Sequence, residues 1–163
     1  MKVIAIILSL CAIIYTGCKK DSRNFELEMA ELETFIFDQK AKGLKIDTAL
    51  TGIFHILKEP GEGPVPQPGD TCFIEYKCFL INNRLVEKSQ DFYPPNGIWK
   101  FIFAPPDMNA GLRAGIELMN AKCEMDIIIP SNLAYGKKGT ANIPPYSTLI
   151  YAVKMHDLRI KKN

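Results

Sequence analysis

Two hydrophobic periods divide this chain, and the change falls near Gly43. In residues 25–42, Phe25, Met29, Leu32 and Ile36 recur at i, i+4, i+7 and i+11, one face of an α-helix. Asn24 or Ser22 can cap its start, and Glu26 and Glu28 lie in its first turn. Lys40 and Lys42 lie in its last turn, and Gly43 suits the residue after the C-cap. Two roles are open to such a helix: dimerisation, or packing on (or merely spacing) the domain that follows.

Beyond Gly43 the pattern is that of strands. Ile53–Leu57 is β-rich, and two Pro/Gly clusters at 60–64 and 66–70 are turn chemistry. Thr71–Ile81 reads as a long strand with Cys72, Ile74, Tyr76, Cys78 and Leu80 on one face. Asn82-Asn83 is a hairpin signal. Strands are also expected over Trp99–Phe103, Met125–Ile129 and Leu149–Met155. Residues 111–119 suit a short helix with Leu112, Ile116 and Met119 on one face. The pattern predicts an α+β fold, an antiparallel sheet crossed by one short helix.

The first residues carry a different signal. Lys2 precedes an apolar run, Val3–Tyr15, too short for a comfortable span of about 20 residues. It ends in Tyr15-Thr16-Gly17-Cys18, which resembles a bacterial lipobox, in which the Cys becomes the lipidated first residue. The organisation expected is a lipoprotein signal at 1–17, a tether and helical extension at 18–49, and a folded domain at 50–163. This places the domain in the bacterial envelope, outside the cytoplasm. A plain N-terminal anchor with an incidental Cys is the alternative.

The formal net charge is +2 with Lys and Arg dispersed, so no nucleic-acid face is expected. P-loop, HExxH and EF-hand patterns are missing from the sequence. Without Cys11 and Cys18, three cysteines remain. Cys72 and Cys78 lie along one strand, roughly 20 Å apart, against a disulfide Cα limit of about 7 Å. Cys72, Cys78 and Cys123 are therefore read as reduced core residues, and no zinc site or other cofactor is expected. His55 and His156 read as surface or strand residues.

Five strings in order then point to one family: LTGIFHILKEPGEG (50–63), VPQPGDTCFIEY (65–76), GLRAGIELM (111–119), IIIPSNLAYGKKG (127–139) and IPPYSTLIYAVKM (143–155). Together they resemble the FKBP-type peptidyl-prolyl cis–trans isomerases over about residues 50–158. The resemblance implies an antiparallel half-barrel sheet wrapped around a short helix, with an apolar pocket between them.

The resemblance also implies roles. Tyr76, Tyr135, Leu112, Ile143 and Tyr151 correspond to the catalytic pocket, with the Tyr135 hydroxyl donating to a substrate carbonyl. Val86, Glu87, Trp99, Met108 and Asn109 correspond to substrate-binding positions, and Phe101 and Phe103 continue the strand of Trp99. Leu112 stands where the family has a tryptophan floor, Val86-Glu87 where it has Phe-Asp, and Asn109 where it has a hydrophobe. For Tyr76 and Tyr151 plain core packing is an equally open role, and Glu87 can be read as a solvated hairpin charge. The function expected is isomerisation of proline-containing clients by a lipid-anchored monomer. A weakly catalytic binding module for clients or a secretion or motility partner is the alternative.

Overall fold

The computed structural model describes residues 24–103 and 108–162. The signal segment, Ser22 and the lipidation candidate Cys18 lie outside the described residues. In chain order the elements are α1 (Phe25–Ala41), β1 (Asp47–Thr48), β2 (Phe54–Glu59), β3 (Thr71–Leu80), β4 (Leu85–Lys88), β5 (Trp99–Ile102), α2 (Ala110–Ile116), β6 (Glu124–Ile129) and β7 (Leu149–Arg159).

Among the described residues the seven strands form one antiparallel sheet ordered β1-β2-β6-β7-β3-β4, with β5 also paired to β3. β3 pairs with β7 along its whole length. Its other edge is shared: Lys77–Phe79 pair with β4 and Thr71–Ile74 with β5. In the gap between them the Ser89 hydroxyl accepts the Tyr76 N–H at 3.0 Å. The tight β3–β4 turn has Asn83 at φ +64°, a left-handed position that Asn tolerates better than most residues.

Strand alternation sorts the side chains onto two faces. Cys72, Ile74, Tyr76, Cys78 and Leu80 of β3 meet Met125, Ile127 and Ile129 of β6 and Leu149, Tyr151, Val153 and Met155 of β7 in one core. α2 lies against that face. Added Cβ atoms at Gly111 and Gly115 would fall 2.1 Å from Ile129 Cγ2 and 2.4 Å from Ile127 Cδ1, so the two glycines let the helix backbone settle onto β6. This is the antiparallel sheet wrapped around a short helix that the sequence implied.

The opposite face carries Ile56, Ile128 and Ile150, and α1 covers them with Met29, Leu32, Phe35 and Ile36. The Asn24 side chain caps α1 by accepting the Leu27 N–H at 2.8 Å, and Gly43 follows the helix at φ +84°. Burying one such aliphatic side chain contributes about 1.5–3 kcal/mol, so α1 is docked by its apolar stripe. Phe25 departs from the expected stripe: it is 45 % exposed, whereas Glu28, one turn before Leu32, is 1 % exposed. β1 precedes residue 50, yet it pairs with β2 at the sheet edge. Cys72, Cys78 and Cys123 are buried and free.

Candidate active site

An aromatic wall crosses three neighbouring strands. Tyr76 of β3 faces inward; Tyr151 lies opposite Cys78 on β7 and Trp99 opposite Ile74 on β5. Both are therefore diagonal neighbours of Tyr76, within reach of aromatic side chains. Ring centroids are 5.7 Å apart for Tyr76–Tyr151 and 6.1 Å for Tyr76–Trp99, the latter edge-on at 63°. Phe101 extends the wall at 4.4 Å from Trp99. Tyr93, from the loop between β4 and β5, stacks on Trp99 at 5.8 Å and 7°.

α2 supplies the floor. Leu112 is buried within the same core cluster, and Met108 packs against that cluster from the approach to the helix. Asn109 is the N-cap of α2, its side chain accepting the Leu112 N–H at 2.8 Å. That side chain therefore sets where the helix begins and hence where Leu112 stands.

The flap between β6 and β7 brings the remaining residues. Ile143 is buried in the cluster and Tyr135 is half-buried against it. Backbone bonds shape this segment: Gly136 N–H to Ser131 C=O at 2.8 Å, Gly139 N–H to Tyr135 C=O at 3.1 Å, and Thr140 N–H to Ile143 C=O at 2.8 Å. Gly139 is required as glycine: its φ is +59°, and a Cβ would lie 2.2 Å from the Ile143 carbonyl oxygen. Arg84 Nη2 in the β3–β4 turn donates to the Asn142 carbonyl at 2.9 Å, tying hairpin to flap.

Polar groups gather at one end of the apolar wall. The Tyr151 hydroxyl faces Glu87 Oε1 at 3.5 Å, and the Tyr76 hydroxyl also interacts with Glu87. The Tyr135 hydroxyl interacts with Tyr151 and with the Asn109 side chain. Burial raises the Glu87 carboxyl above the ordinary glutamate value, partly offset by hydrogen bonds from Tyr151 and Tyr76. Burial, then the nearby Glu87 charge, raises Tyr135 as well. Tyr76 and Tyr151 are pushed up mainly by burial. At neutral pH these tyrosines are thus protonated donors.

The ten residues singled out from the sequence are brought together. Tyr76, Leu112, Ile143 and Tyr151 lie in the core cluster, and Val86, Trp99, Met108 and Tyr135 pack against it. Glu87 and Asn109 join through the tyrosine hydroxyls. Glu87 is half-buried in this polar end, not a solvated hairpin charge. Sequence reasoning missed Tyr93; its one signal was an aromatic beside Pro94-Pro95 in a loop otherwise of turn residues. Among the described residues no group of three His, Cys, Asp or Glu side chains is placed to hold a metal. His156 Nε2 lies 3.3 Å from Glu75 instead.

The model for the FKBP-type peptidyl-prolyl cis-trans isomerase domain matches residues 63–156, more than half of the chain. The chain belongs to the FKBP-type peptidyl-prolyl cis–trans isomerase family. It is 32% identical over 120 residues to the FKBP-type isomerase FkpA of Escherichia coli K12, covering 74% of this chain and 42% of that protein. A probable FkpA of Neisseria meningitidis is 29% identical over 133 residues, 80% of this chain and 46% of that protein. The chain thus spans less than half the length of these curated relatives. The crystal structure of Escherichia coli FkpA superposes with a TM-score of 0.68 at 28% identity, covering 81% of this chain and 59% of that one. A Pseudomonas syringae isomerase structure, 20% identical, shares the FKBP fold at a TM-score of 0.68 over 85% of this chain and 98% of its own.

Proposed function

We propose that this FKBP-family chain isomerises X–Pro bonds in polypeptides exported to the bacterial envelope, held at a membrane by lipid on Cys18. The observation that carries the catalytic part is the aromatic wall of buried Tyr76 and Tyr151 with half-buried Trp99, in one apolar cluster with Leu112 and Ile143, and with the Tyr151 hydroxyl turned to Glu87 at its end.

The chemistry such a site must supply is modest. Rotation about the peptide bond has a barrier of about 18–20 kcal/mol, and no covalent bond breaks. The site need only bind the twisted amide better than the planar one. Twisting removes resonance and its charge separation, so an apolar cavity free of water favours it. Tyr76, Trp99 and Tyr151 offer the proline ring broad apolar surface. The Tyr135 hydroxyl and the Asn109 backbone N–H are donors for the carbonyls flanking the bond. None of this needs an acid, a base or a nucleophile.

The envelope location rests on the sequence Val3–Cys18. The docking of α1 on its own sheet supports a monomer, because the apolar stripe that would serve dimerisation is largely used internally. A second reading, a prolyl-peptide-binding module of low turnover, is favoured by Leu112, which offers less surface than the tryptophan expected at the floor.

Proline-limited refolding of a client, with the full chain purified from membranes in mild detergent, separates the readings. Acceleration of the slow phase supports the isomerase. Peptide binding without acceleration supports the module, and neither result in either assay refutes both. Fatty-acid labelling of wild type and Cys18→Ser tests the anchor; equal labelling would refute it.

A further inference from the structure

Glu28 is 1 % exposed, although it lies on α1, on the far side of the sheet from the aromatic wall. Its carboxylate accepts the Ser131 N–H at 2.6 Å, the Ser131 hydroxyl at 2.5 Å and the Thr148 hydroxyl at 2.9 Å. Those partners are 103 and 120 residues away in sequence. They are also the two roots of one segment: Ser131 stands two residues after the end of β6, and Thr148 immediately before β7. A buried carboxylate is tolerated only when its oxygens are satisfied, and hydrogen bonds to a charged acceptor are the strong kind. A helix held by packing alone would carry another aliphatic residue here, as it does at Leu32.

What Ser131 does next connects this clamp to the pocket. Its carbonyl accepts the N–H groups of Ala134 at 2.9 Å and Gly136 at 2.8 Å, on either side of Tyr135. From the other root, the Tyr146 N–H, two residues before Thr148, donates to the Gly136 carbonyl at 2.9 Å. The Tyr135 carbonyl holds Gly139, and Ile143 closes the next turn. A short chain of bonds thus runs from Glu28 to the two flap residues of the site.

We infer that Glu28 is a positioning residue: from α1 it latches both roots of the flap and so holds Tyr135 and Ile143 over the pocket. Its catalytic consequence rests on the isomerase reading above; the latch itself does not. Glu28 also lies outside the residues matched by the family model, so the latch belongs to the helical extension. α1 is then more than a spacer between membrane and domain, because any rearrangement that undocks it releases the flap.

Glu28→Gln in the full chain tests this, since the amide replaces one acceptor oxygen with a donor facing donors. Hydrogen exchange at Ala134, Gly136 and Tyr146 should quicken by about tenfold while β3 and β7 stay protected. The kcat/KM for prolyl peptides should fall by about tenfold, chiefly in kcat, because misplacement of a positioned group acts on the transition state. Tyr135→Phe should then add less in the Glu28→Gln background than in wild type. Unchanged flap exchange overturns the latch, as does acceleration spread evenly over flap and sheet. Fully multiplicative activity losses overturn the link to Tyr135. Should Glu28→Gln fail to fold, Ser131→Ala and Thr148→Val each remove one donor, and a flap left equally protected in both overturns the inference. Loosened exchange in a chain whose wild type lacks isomerase activity refutes the isomerase reading and leaves the latch.

Discussion

Replacing Gly115 by alanine tests how α2 is seated. In an exposed helix the change would stabilise by up to about 1 kcal/mol, because glycine is the poorer helix former. Here the new Cβ falls 2.4 Å from Ile127 Cδ1, 2.6 Å from its Cγ2 and 2.9 Å from its Cγ1. Carbons rest at about 3.5–4.0 Å, so the shortfall to the nearest is more than an ångström. Ile127 has no room to turn aside: it is fully buried, and two of the three atoms lie on its first branch, not its flexible end. Either α2 lifts from β6 or β6 deforms. Overpacking of this kind costs about 1–3 kcal/mol, which exceeds the propensity gain at all but its lower limit. A net loss of about 1–2 kcal/mol is expected, or about 2–8 °C in Tm for a chain of this size. Leu112 rides on the same helix, so kcat/KM should fall as the pocket floor shifts. Arg113→Ala, on the exposed face of α2, is the control and should stay within about 0.5 kcal/mol. Thermal and urea melts decide the matter. A Gly115→Ala chain as stable as wild type would show that helix and strand are not in the close contact described.

Tyr135→Phe should lower kcat/KM by roughly 2–10-fold, the worth of one hydrogen bond of about 0.5–1.5 kcal/mol, with an unchanged circular dichroism spectrum; an unaltered rate removes the hydroxyl from the mechanism. Glu87→Gln should gain stability relative to wild type as pH rises. Burial holds the folded Glu87 above the ordinary value of 4.5, so its ionisation weakens the fold from that value upward through the folded value, and below it no penalty applies. Melts at about pH 4 and pH 7 read this, and a relative loss for the variant at pH 7 would contradict it. Burial pushes the Cys72 and Cys78 thiols up to about 12 and raises Cys123. All three should resist iodoacetamide at pH 8 until the chain is denatured, and rapid labelling of the native chain, followed by mass spectrometry, would refute that.

The parts of this molecule legible in the sequence are those governed by period and turn chemistry. The alternation Cys72–Ile74–Tyr76–Cys78–Leu80 named the inner face of β3 because a strand buried on one side leaves no other register. Asn24, Gly43 and Asn82-Asn83 marked ends and turns through backbone preferences that act locally. β1 escaped because two residues carry no period. β4 escaped because Leu85–Lys88 exposes one apolar side chain and half-buries the rest. Glu28 does lie in the first turn of α1, as expected, but its burial escaped for a more general reason. In the first turn of a helix a glutamate is favoured by the helix dipole, and nothing local distinguishes that role from burial. Its partners, Ser131 and Thr148, are ordinary loop residues until the fold brings them beside it.

The departures at Leu112 and Glu87 bear differently on the proposed chemistry. A tryptophan at the floor would add aromatic surface, and a deficit of a few tens of Å² at about 25 cal/mol per Å² is on the order of 1 kcal/mol, several-fold in rate. Leucine remains apolar, so the medium that favours the twisted amide is kept; what weakens is fit to the proline ring. The neighbouring wall is aromatic, with Tyr93 stacked on Trp99 and Phe101 beside it, so the side of the pocket offsets part of what the smaller floor fails to supply. Glu87 acts on the polar end instead. Its carboxylate draws on the Tyr151 and Tyr76 hydroxyls, while Tyr135 is shared with Asn109 and Tyr151. Asn109 and Tyr151 hold the Tyr135 oxygen as donors, which aims its proton outward for a substrate carbonyl. The rate would then depend as much on how firmly the flap presents that hydroxyl as on the size of the floor, which is why a carboxylate on α1 matters to a pocket it never touches.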